Sequence, residues 1–585
     1  FPDRARSAGL GVVAVMAFYP IAASEESAGE YTFALFSMAG VALLISWVFA
    51  VTIAPIMWIA MLPKPKQGAK DPYASMMYRA FRGLLRLCLR ARVAVVLVFL
   101  ALLAASVVGF GSVRQMFFPE AARAQFMVDL WLPQGTNIAT TSATLERLEQ
   151  IAMEMEGVTG VSAFVGQGPP RFYLPVEPES PNSSYGQLIV NTDSPARVDE
   201  VLPIIQRWCD ANIAEGFVIA RKYGLGPFRS WPVDAKFSGP ALADLDTLRS
   251  IGERAELIFR DSPYAKAVQL NWRERVPFIS AEYDQSNARW TNLSRADVAS
   301  SLRRAHDGSI VGIYREDDKL LPILLRSPEE ERAALAENLD LVQVRSPLGD
   351  RSVPLAQVTT GVDPAWEDAK IYRFNRKRTI AVQGVPTGLA TEYLADVKDR
   401  VDALELPSGY SMFWDGEFRS SRDAQRSLVP GVVPAFIIMA VIVVALFNNL
   451  RQPLIILCIV PFALVGVVTG LVVTGQPFGF VALLGAMSLA GMMVKNAIVL
   501  LDEINTLKND GQTEYDAVLN AAVARLRPVL LAAGTTVLGV IPLLGDVFWV
   551  SLAVVIMFGL AIGSLITMIL VPVLYAMFYR VRPAA

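Results

Sequence analysis

The sequence has few of the side chains that build metal centres and covalent cross-links. Its 585 residues include three cysteines and one histidine. Cys88, Cys209 and Cys458 fall in segments predicted for three different compartments, so no intrachain disulfide is expected. His306 follows an apparent helix and is better explained as a surface residue than as a metal ligand. No cofactor is therefore expected.

Charged residues are also scarce, at 18% of the chain against 53% hydrophobic residues. This composition is too apolar for a soluble protein of this length and predicts an integral membrane protein. Eight apolar segments are each near the ~20 residues that a bilayer requires. The eight predicted spans are residues 8–24, 33–62, 93–113, 428–448, 454–474, 480–501, 528–544 and 548–579.

The distribution of basic residues predicts the orientation. Residues 63–92 form a loop with an amphipathic helix and eight basic residues against one acid, Asp71. Short loops this basic remain in the cytoplasm, which places residues 114–427 on the outer side of the membrane. The remaining basic residues near the spans then fall inside, which supports one topology; they are Arg451, Lys508, Arg525, Arg527, Arg580 and Arg582.

No acid lies within any of the apolar segments, yet one lysine does. Lys495 sits in the run GAMSLAGMMVKNAIVLL. An ammonium group in hydrocarbon costs roughly 2.5–3.5 kcal/mol, so it persists where it pairs, meets water or has a function. Its partner is expected to come from outside these segments. The alternative is that the side chain extends towards Asp502 and the cytoplasmic surface, roughly 10 Å along a helix.

The outer region alternates short strand-like runs with amphipathic helical runs, which predicts an α+β fold. Strand-helix-strand units begin near residues 125, 185 and 233, and a last helix is predicted at 389–404. Such repeats suggest ferredoxin-like subdomains packed side by side. The predicted domain plan is 1–62 (two spans), 63–92 (basic loop), 93–113 (one span), 114–286 (α+β subdomains), 287–373 (an inserted small domain), 374–427 (return) and 428–585 (five spans, with a cytoplasmic loop at 502–527).

Four motifs carry a family resemblance: GMMVKNAIVLLDEI, ARLRPVLLAAGTTVLGVIPLL, YREDDKLLPILLRSP and IYRFNRKRTIAVQG. With them the sequence resembles the resistance-nodulation-division (RND) family of proton-driven efflux transporters, nearest to the hydrophobic and amphiphilic (multidrug) branch. The resemblance covers nearly the whole chain. It implies the fifth and sixth spans of the family followed by the second half. The first four spans, which carry the paired proton-binding aspartates, would be absent.

The resemblance assigns a proton relay residue by residue. Lys495 matches the relay lysine, Asn496 follows it as in the family, and Arg525 matches the arginine that begins the eleventh span. The relay threonine would fall at Ala532, so its hydroxyl is missing. Thr536, three helical turns after Arg525 and on the same face, is the candidate substitute. The alternatives are that Arg525 anchors the inner end of its span and that Thr536 bonds its own backbone.

In the mechanism implied, carboxylates of the missing span hold Lys495 until protons from outside neutralise them and release the ammonium. The resemblance further implies a homotrimer in the bacterial inner membrane, with a periplasmic adaptor (membrane fusion) protein and an outer-membrane channel. The outer subdomains would be porter units and residues 287–373 a docking part. Apolar small molecules would bind in a porter cleft; the candidate lining residues are Phe164, Phe172, Tyr173, Phe228 and Trp231.

Two other functions remain open. A metal-exporting member of the family would need clustered methionines, whereas Met127, Met153, Met155 and Met412 are dispersed. A non-transporting accessory subunit or inactive fragment is the second alternative. An enzyme is disfavoured because no catalytic or phosphate-binding motif occurs at a useful spacing, and no nucleic-acid partner is expected.

Overall fold

The computed structural model describes residues 11–61, 75–227, 229–335, 337–345 and 351–582. Most of the basic loop before residue 75, and the candidate Phe228, lie outside the described residues.

Long apolar sequences form the first helices. The predicted span 8–24 is helical at 11–16 and resumes at Tyr19 as a short helix, where Pro20 supplies no backbone N–H to a preceding turn. The next three helices follow closely along the chain. The helices are α1 (Tyr19–Ala22), α2 (Ser27–Met61), α3 (Met76–Arg90) and α4 (Arg92–Phe110).

Residues 125–222 form a four-stranded antiparallel sheet with two helices. Phe126, Val128 and Leu130 alternate along the first strand and pack against the helices, as the two-residue period of a strand requires. Asn137 accepts a hydrogen bond from the Ala139 N–H and begins the first helix. The elements are β1 (Gln125–Trp131), α5 (Ile138–Met153), β2 (Val158–Val165), β3 (Tyr185–Thr192), α6 (Pro195–Asn212) and β4 (Phe217–Lys222), with strand order β2-β3-β1-β4.

A second sheet starts in the same way. β5 (Val233–Ser238) leads into α7 (Leu245–Arg260), whose first turn is capped by the Asp244 carboxylate, and then into β6 (Ala265–Leu270). The chain then enters a separate compact unit of residues 133–135 and 272–371.

The separate unit has a small core of its own around Leu293, Val298, Val344 and Leu355. It begins before the predicted boundary at residue 287, because its first strand pairs with its last. Its elements are β7 (Arg275–Tyr283), α8 (Gln285–Trp290), α9 (Arg295–His306), β8 (Ser309–Glu316), β9 (Lys319–Leu325), α10 (Glu329–Ala333), β10 (Gln343–Arg345), β11 (Ser352–Pro354) and β12 (Thr359–Asp368).

After this unit the chain completes the second sheet. β14 pairs with both β5 and β6, and β15 pairs with β5, so the order β6-β14-β5-β15 repeats that of the first sheet. Two strand-helix-strand units thus interleave in each sheet. The elements are β13 (Arg373–Phe374), β14 (Lys377–Pro386), α11 (Ala390–Asp402) and β15 (Ser411–Asp415).

The remaining chain is helical and packs around its last helix. Glycine permits the closest crossing: a Cβ on Gly466 would lie 2.5 Å from the Gly559 Cα. The helices are α12 (Gly416–Phe447), α13 (Arg451–Ile459), α14 (Ala463–Thr474), α15 (Phe480–Asn509), α16 (Glu514–Val540) and α17 (Val550–Phe578), with short 3₁₀ turns at Val460–Phe462 and Ile541–Gly545.

Within the described ranges, seven helices are long and apolar enough to cross a membrane. The prediction was eight. The predicted span 8–24 is not among the seven, because its described part is divided between 11–16 and α1. The seven are α2, α4, α12, α13 with α14, α15, α16 and α17.

Candidate functional site

Lys495 lies near the middle of α15, about 22 Å along the helix from its first residue. Its side chain is exposed, whereas Met493 and Ala497 beside it are fully buried. Lys495 makes no hydrogen bond or ion pair with any residue that the structure describes. The lysine is thus held on a packed helix with its ammonium unpaired.

Asn496 connects the lysine-bearing helix to the central helix α17. Its Nδ2 donates to the Ser564 Oγ at 3.4 Å, and Ser564 is fully buried. This polar contact between apolar helices fixes the rotation of α15 one residue after Lys495.

Arg525 lies near the middle of α16, where it forms an ion pair with Glu503 on α15. Glu503 follows Lys495 by eight residues on α15, or about 12 Å. The pair therefore ties the middle of α16 to the last third of α15, which fits the anchor alternative for Arg525. Glu503 was not predicted as a partner, because the predicted span ends at residue 501, whereas α15 continues to Asn509.

Thr536 directs its hydroxyl to its own helix. Its Oγ1 donates to the Ala532 carbonyl at 2.9 Å, and the neighbouring Thr535 donates to the same carbonyl at 3.0 Å. This is the backbone-bonded alternative for that residue. No hydrogen bond joins Thr536 to Lys495 among the described residues.

Two of the predicted cleft residues form one aromatic cluster. Tyr173 packs edge-on against Tyr223, with ring centroids 5.4 Å apart, and Phe172 contacts the same ring at 6.1 Å. The Arg123 guanidinium lies 4.6 Å from the Tyr173 ring centroid. Burial raises the pKa of Tyr223 to about 12, so the cluster holds a neutral phenol.

The other predicted cleft residues are not part of this cluster. Trp231 stacks on Phe217 with ring centroids 6.2 Å apart. Phe164 is half-buried on β2, and its strand partner is Gln187. The structure therefore brings together Phe172 and Tyr173, whereas Phe164 lies on β2 and Trp231 packs against Phe217 of β4.

A buried charge network crosses the first sheet on the face opposite its helices. The Asp129 carboxylate accepts from the Tyr185 hydroxyl and the Gln187 amide, each at 2.6 Å, and pairs with Arg221 at 2.6 Å. Asp129 is only 4% exposed, so each of these contacts replaces lost water. This network was not predicted, although an acid inside the strand-like run QFMVDLWL was a usable signal.

The second sheet has a similar acid at its junction with α12. Lys236 pairs with both Asp234 and Asp415, and Asp415 immediately precedes the helix. Burial raises the pKa of Asp234 to about 7, against the opposing effect of Lys236. Burial acts to raise the pKa of Asp415, but the hydrogen bond and charge of Lys236, together with the charges of Arg229 and Arg419, outweigh it and lower that pKa. The ion pair ties β5 to the start of a membrane helix.

A cavity of about 270 Å³ lies beside this junction. Charged and apolar side chains share its wall, including Asp415, Glu417, Arg422, Phe117 and Phe418. The start of α12 therefore lines a cavity that also reaches Val233 at the start of β5.

A metal site is not preassembled in the described part of the chain. Within it, no three His, Cys, Asp or Glu side chains are grouped so that they could hold a metal ion. The oxygens of Asp129 are occupied by three donors. Met127 is buried against Tyr223, whereas Met153 is 51% exposed on α5, so these methionines are dispersed in the fold as in the sequence.

The chain is similar to a known family and to several curated relatives. The model of the AcrB/AcrD/AcrF family matches residues 7–579. The cobalt-zinc-cadmium resistance protein CzcA of Cupriavidus metallidurans is 28% identical over 351 residues, which are 58% of this chain and 32% of the relative. The nickel and cobalt resistance protein CnrA of the same organism is 25% identical over 518 residues, 83% of this chain and 46% of the relative. Protein HelA of Legionella pneumophila is 25% identical, with 93% and 53% covered.

Solved structures give the same fold. A crystal structure of a heavy metal efflux pump superposes with a TM-score of 0.76 at 21% identity, covering 98% of this chain and 58% of that one. A second crystal form gives a TM-score of 0.77 at 20% identity. The chain spans between about a third and about half of the length of the curated relatives it matches.

Proposed function

This chain belongs to the AcrB/AcrD/AcrF family of RND permeases, and from that premise we propose that it is the second part of a proton-driven efflux transporter. It is a multi-pass protein of the inner membrane with a periplasmic domain. Members of the family are transporters and not enzymes. The unpaired Lys495 in mid-helix is the observation that carries the coupling mechanism.

The proposed counter-ions of Lys495 are carboxylates on a segment outside these 585 residues. An ammonium at this depth stabilises ionised carboxylates beside it, and their protonation removes that attraction. Asn496 holds the helix while Lys495 changes partners. Proton entry from the periplasm would thereby move α15 relative to the missing segment.

The movement needs a connection to the porter region. We propose that the junction of β5, Asp415 and α12 is this connection, because an ion pair and a continuous chain join a sheet to a membrane helix there. In this proposal the two repeated sheets are ferredoxin-like porter subdomains, and the unit 272–371 corresponds to the docking part.

For the cargo, we propose metal cations. The hydrophobic and amphiphilic branch favoured by the sequence is not supported by the comparisons, because CzcA and CnrA are named as cobalt, zinc, cadmium and nickel resistance proteins. The acidic side chains of the described residues are not grouped into a metal site. This fits a metal cation that is released after transport and is not retained by the protein. An amphiphilic cargo is the second candidate, favoured by the cluster of Phe172, Tyr173 and Tyr223 under Arg123.

RND pumps generally form trimers with adaptor and outer-membrane partners. We propose the same assembly here, and the hairpin of β8 and β9 supports it. An isolated two-stranded hairpin is only marginally stable in water, and this one exposes apolar side chains along both strands. Among them are Ile310, Ile313, Tyr314, Leu321, Ile323 and Leu325. A second copy or the missing half would cover them.

The cargo is tested in everted membrane vesicles that contain the protein in its native assembly. A proton gradient is imposed, and uptake of Co²⁺, Ni²⁺, Zn²⁺ and Cd²⁺ is compared with uptake of a cationic amphiphilic dye. We expect the vesicles to take up the metal cations. A protonophore should abolish this uptake, and Phe172→Ala should leave it unchanged. Dye uptake without metal uptake, reduced in Phe172→Ala, would establish the second candidate. Transport of neither would favour the accessory-subunit alternative.

A further inference from the structure

The surface that carries this inference is the cytoplasmic helix α3. At about 100° per residue, its side chains divide into three faces. One face is buried against α16 and α17 and contains Tyr78, Leu85 and Leu89. The other two faces are not covered by any part of the chain that the structure describes.

The second face is a stripe of arginines. Arg79, Arg82, Arg86 and Arg90 follow one another at spacings of three or four residues, which places them in one row. None of them makes a side-chain hydrogen bond or an ion pair with a described residue. The Arg82 Nε is buried and has no hydrogen-bond partner among the described residues. The row therefore presents donors and positive charge without a protein acceptor.

The third face is apolar and exposed. Met76 is 82% exposed, Leu87 is 64% exposed, and Met77 and Leu84 are about half exposed. These side chains are centred roughly 125° around the helix from the arginine row and roughly 150° from the buried face. A helix with separate basic and apolar faces is typical of a membrane–water interface.

The contacts at the end of α3 also place this helix at the membrane–water interface. The helix ends at Arg90, and the membrane helix α4 begins at Arg92. Arg92 donates to the carbonyls of Ala576, at 2.9 Å, and Val581, at 2.5 Å, at the cytoplasmic end of α17. The start of α4 and the end of α17 thus fix α3 at the surface of the cytoplasmic leaflet.

We infer that α3 binds anionic phospholipids of this leaflet, with the arginine row on the phosphate groups and Met76, Leu84 and Leu87 among the acyl chains. Charge complementarity selects the anionic headgroup, because arginine presents several N–H donors that match phosphate oxygens. The adjoining apolar face selects a lipid over an acidic protein or a soluble anion, since only a lipid satisfies both faces at once. This inference is independent of the cargo.

The test uses the intact protein, purified in nonionic detergent, delipidated and titrated with phosphatidylglycerol, with bound lipids counted by native mass spectrometry. Each arginine near an anionic surface contributes about 1 kcal/mol, or about a fivefold change in affinity. The variant Arg79→Gln/Arg82→Gln/Arg86→Gln should therefore bind phosphatidylglycerol on the order of a hundredfold more weakly. Binding of phosphatidylcholine should change little.

Two variants control for charge and folding. Replacing the exposed Arg147, Arg289 and Arg303 by Gln makes the same charge change away from α3 and should leave lipid binding unchanged. Lysines in place of Arg79, Arg82 and Arg86 should retain most of the affinity. Unchanged phosphatidylglycerol binding in the triple glutamine variant overturns the inference. So does equal competition by soluble glycerol phosphate, because the surface would then be an anion site without a lipid requirement.

Discussion

The junction between β15 and α12 depends on Gly416. Replacement of Gly416 by alanine should strongly destabilise the folded protein. Gly416 has a φ of +72°, in the left-handed region. A Cβ built there lies 2.3 Å from the Pro232 carbonyl oxygen and 3.0 Å from that of Trp231. The neighbouring Glu417 N–H donates to the same Pro232 oxygen at 2.8 Å, so this oxygen is held in place.

Two costs add for Gly416→Ala. The left-handed conformation costs an L-residue roughly 1–2 kcal/mol. Relief of the overlap requires a movement of backbone, not of a flexible side chain, and overpacking of this kind costs about 1–3 kcal/mol. The expected loss is therefore about 2–5 kcal/mol, and transport should fall with it because the second sheet loses its fixed connection to α12.

The assay is the temperature at which the purified protein loses its monodisperse elution after heating, measured at one heating rate because such unfolding is commonly irreversible. Gly534→Ala is the matched control. Gly534 lies inside α16 with open space around it, so an added Cβ should stabilise that helix by about 1 kcal/mol. Equal thermal stability of Gly416→Ala and the wild type would refute the steric argument.

Three further predictions concern buried groups. Arg221→Met leaves the buried Asp129 without its cation and should destabilise the protein by about 3–5 kcal/mol, much of it regained when Asp129→Asn is added; no recovery in the double variant contradicts this. The pKa of Asp234 is about 7 in the folded protein, raised from the ordinary aspartate value of 3.8, so the folded state binds the extra proton. Stability should therefore fall as pH rises from about 4 to about 7, and Asp234→Asn should remove that part of the decline; parallel pH profiles would count against it. The Cβ added by Gly466→Ala would lie 2.5 Å from the Gly559 Cα and should lower the stability by about 1–3 kcal/mol. An unchanged melting temperature would mean that the two helices move apart at no cost in free energy.

The sequence predicts the membrane helices well, because long apolar runs have few alternatives. Strand-like runs and helical runs were also visible in the outer region. The pairing of the strands was not visible in the sequence, because the repeat period shows which elements recur and not which strands become neighbours. The interleaved order of β2, β3, β1 and β4 depends on contacts between residues far apart in the sequence.

The candidate site was predictable where a single residue is unusual in its surroundings. Lys495 is such a residue, because a charge in an apolar run is visible without a structure. The partner of Arg525 was not visible, since Glu503 lies beyond the predicted end of the span and on another helix. The networks around Asp129 and Asp234 were likewise hidden, because each network joins residues from three strands.

Proton coupling through Lys495 is the central claim, and its most direct test is proton counterflow during transport. The native assembly is reconstituted in liposomes containing a pH-sensitive dye, and proton movement is recorded when cargo is added. Lys495→Met should abolish the counterflow. Lys508→Met, which removes a lysine paired with Glu514 at the cytoplasmic end of the same helix, should retain it. Full cargo-driven proton movement in Lys495→Met would contradict the account.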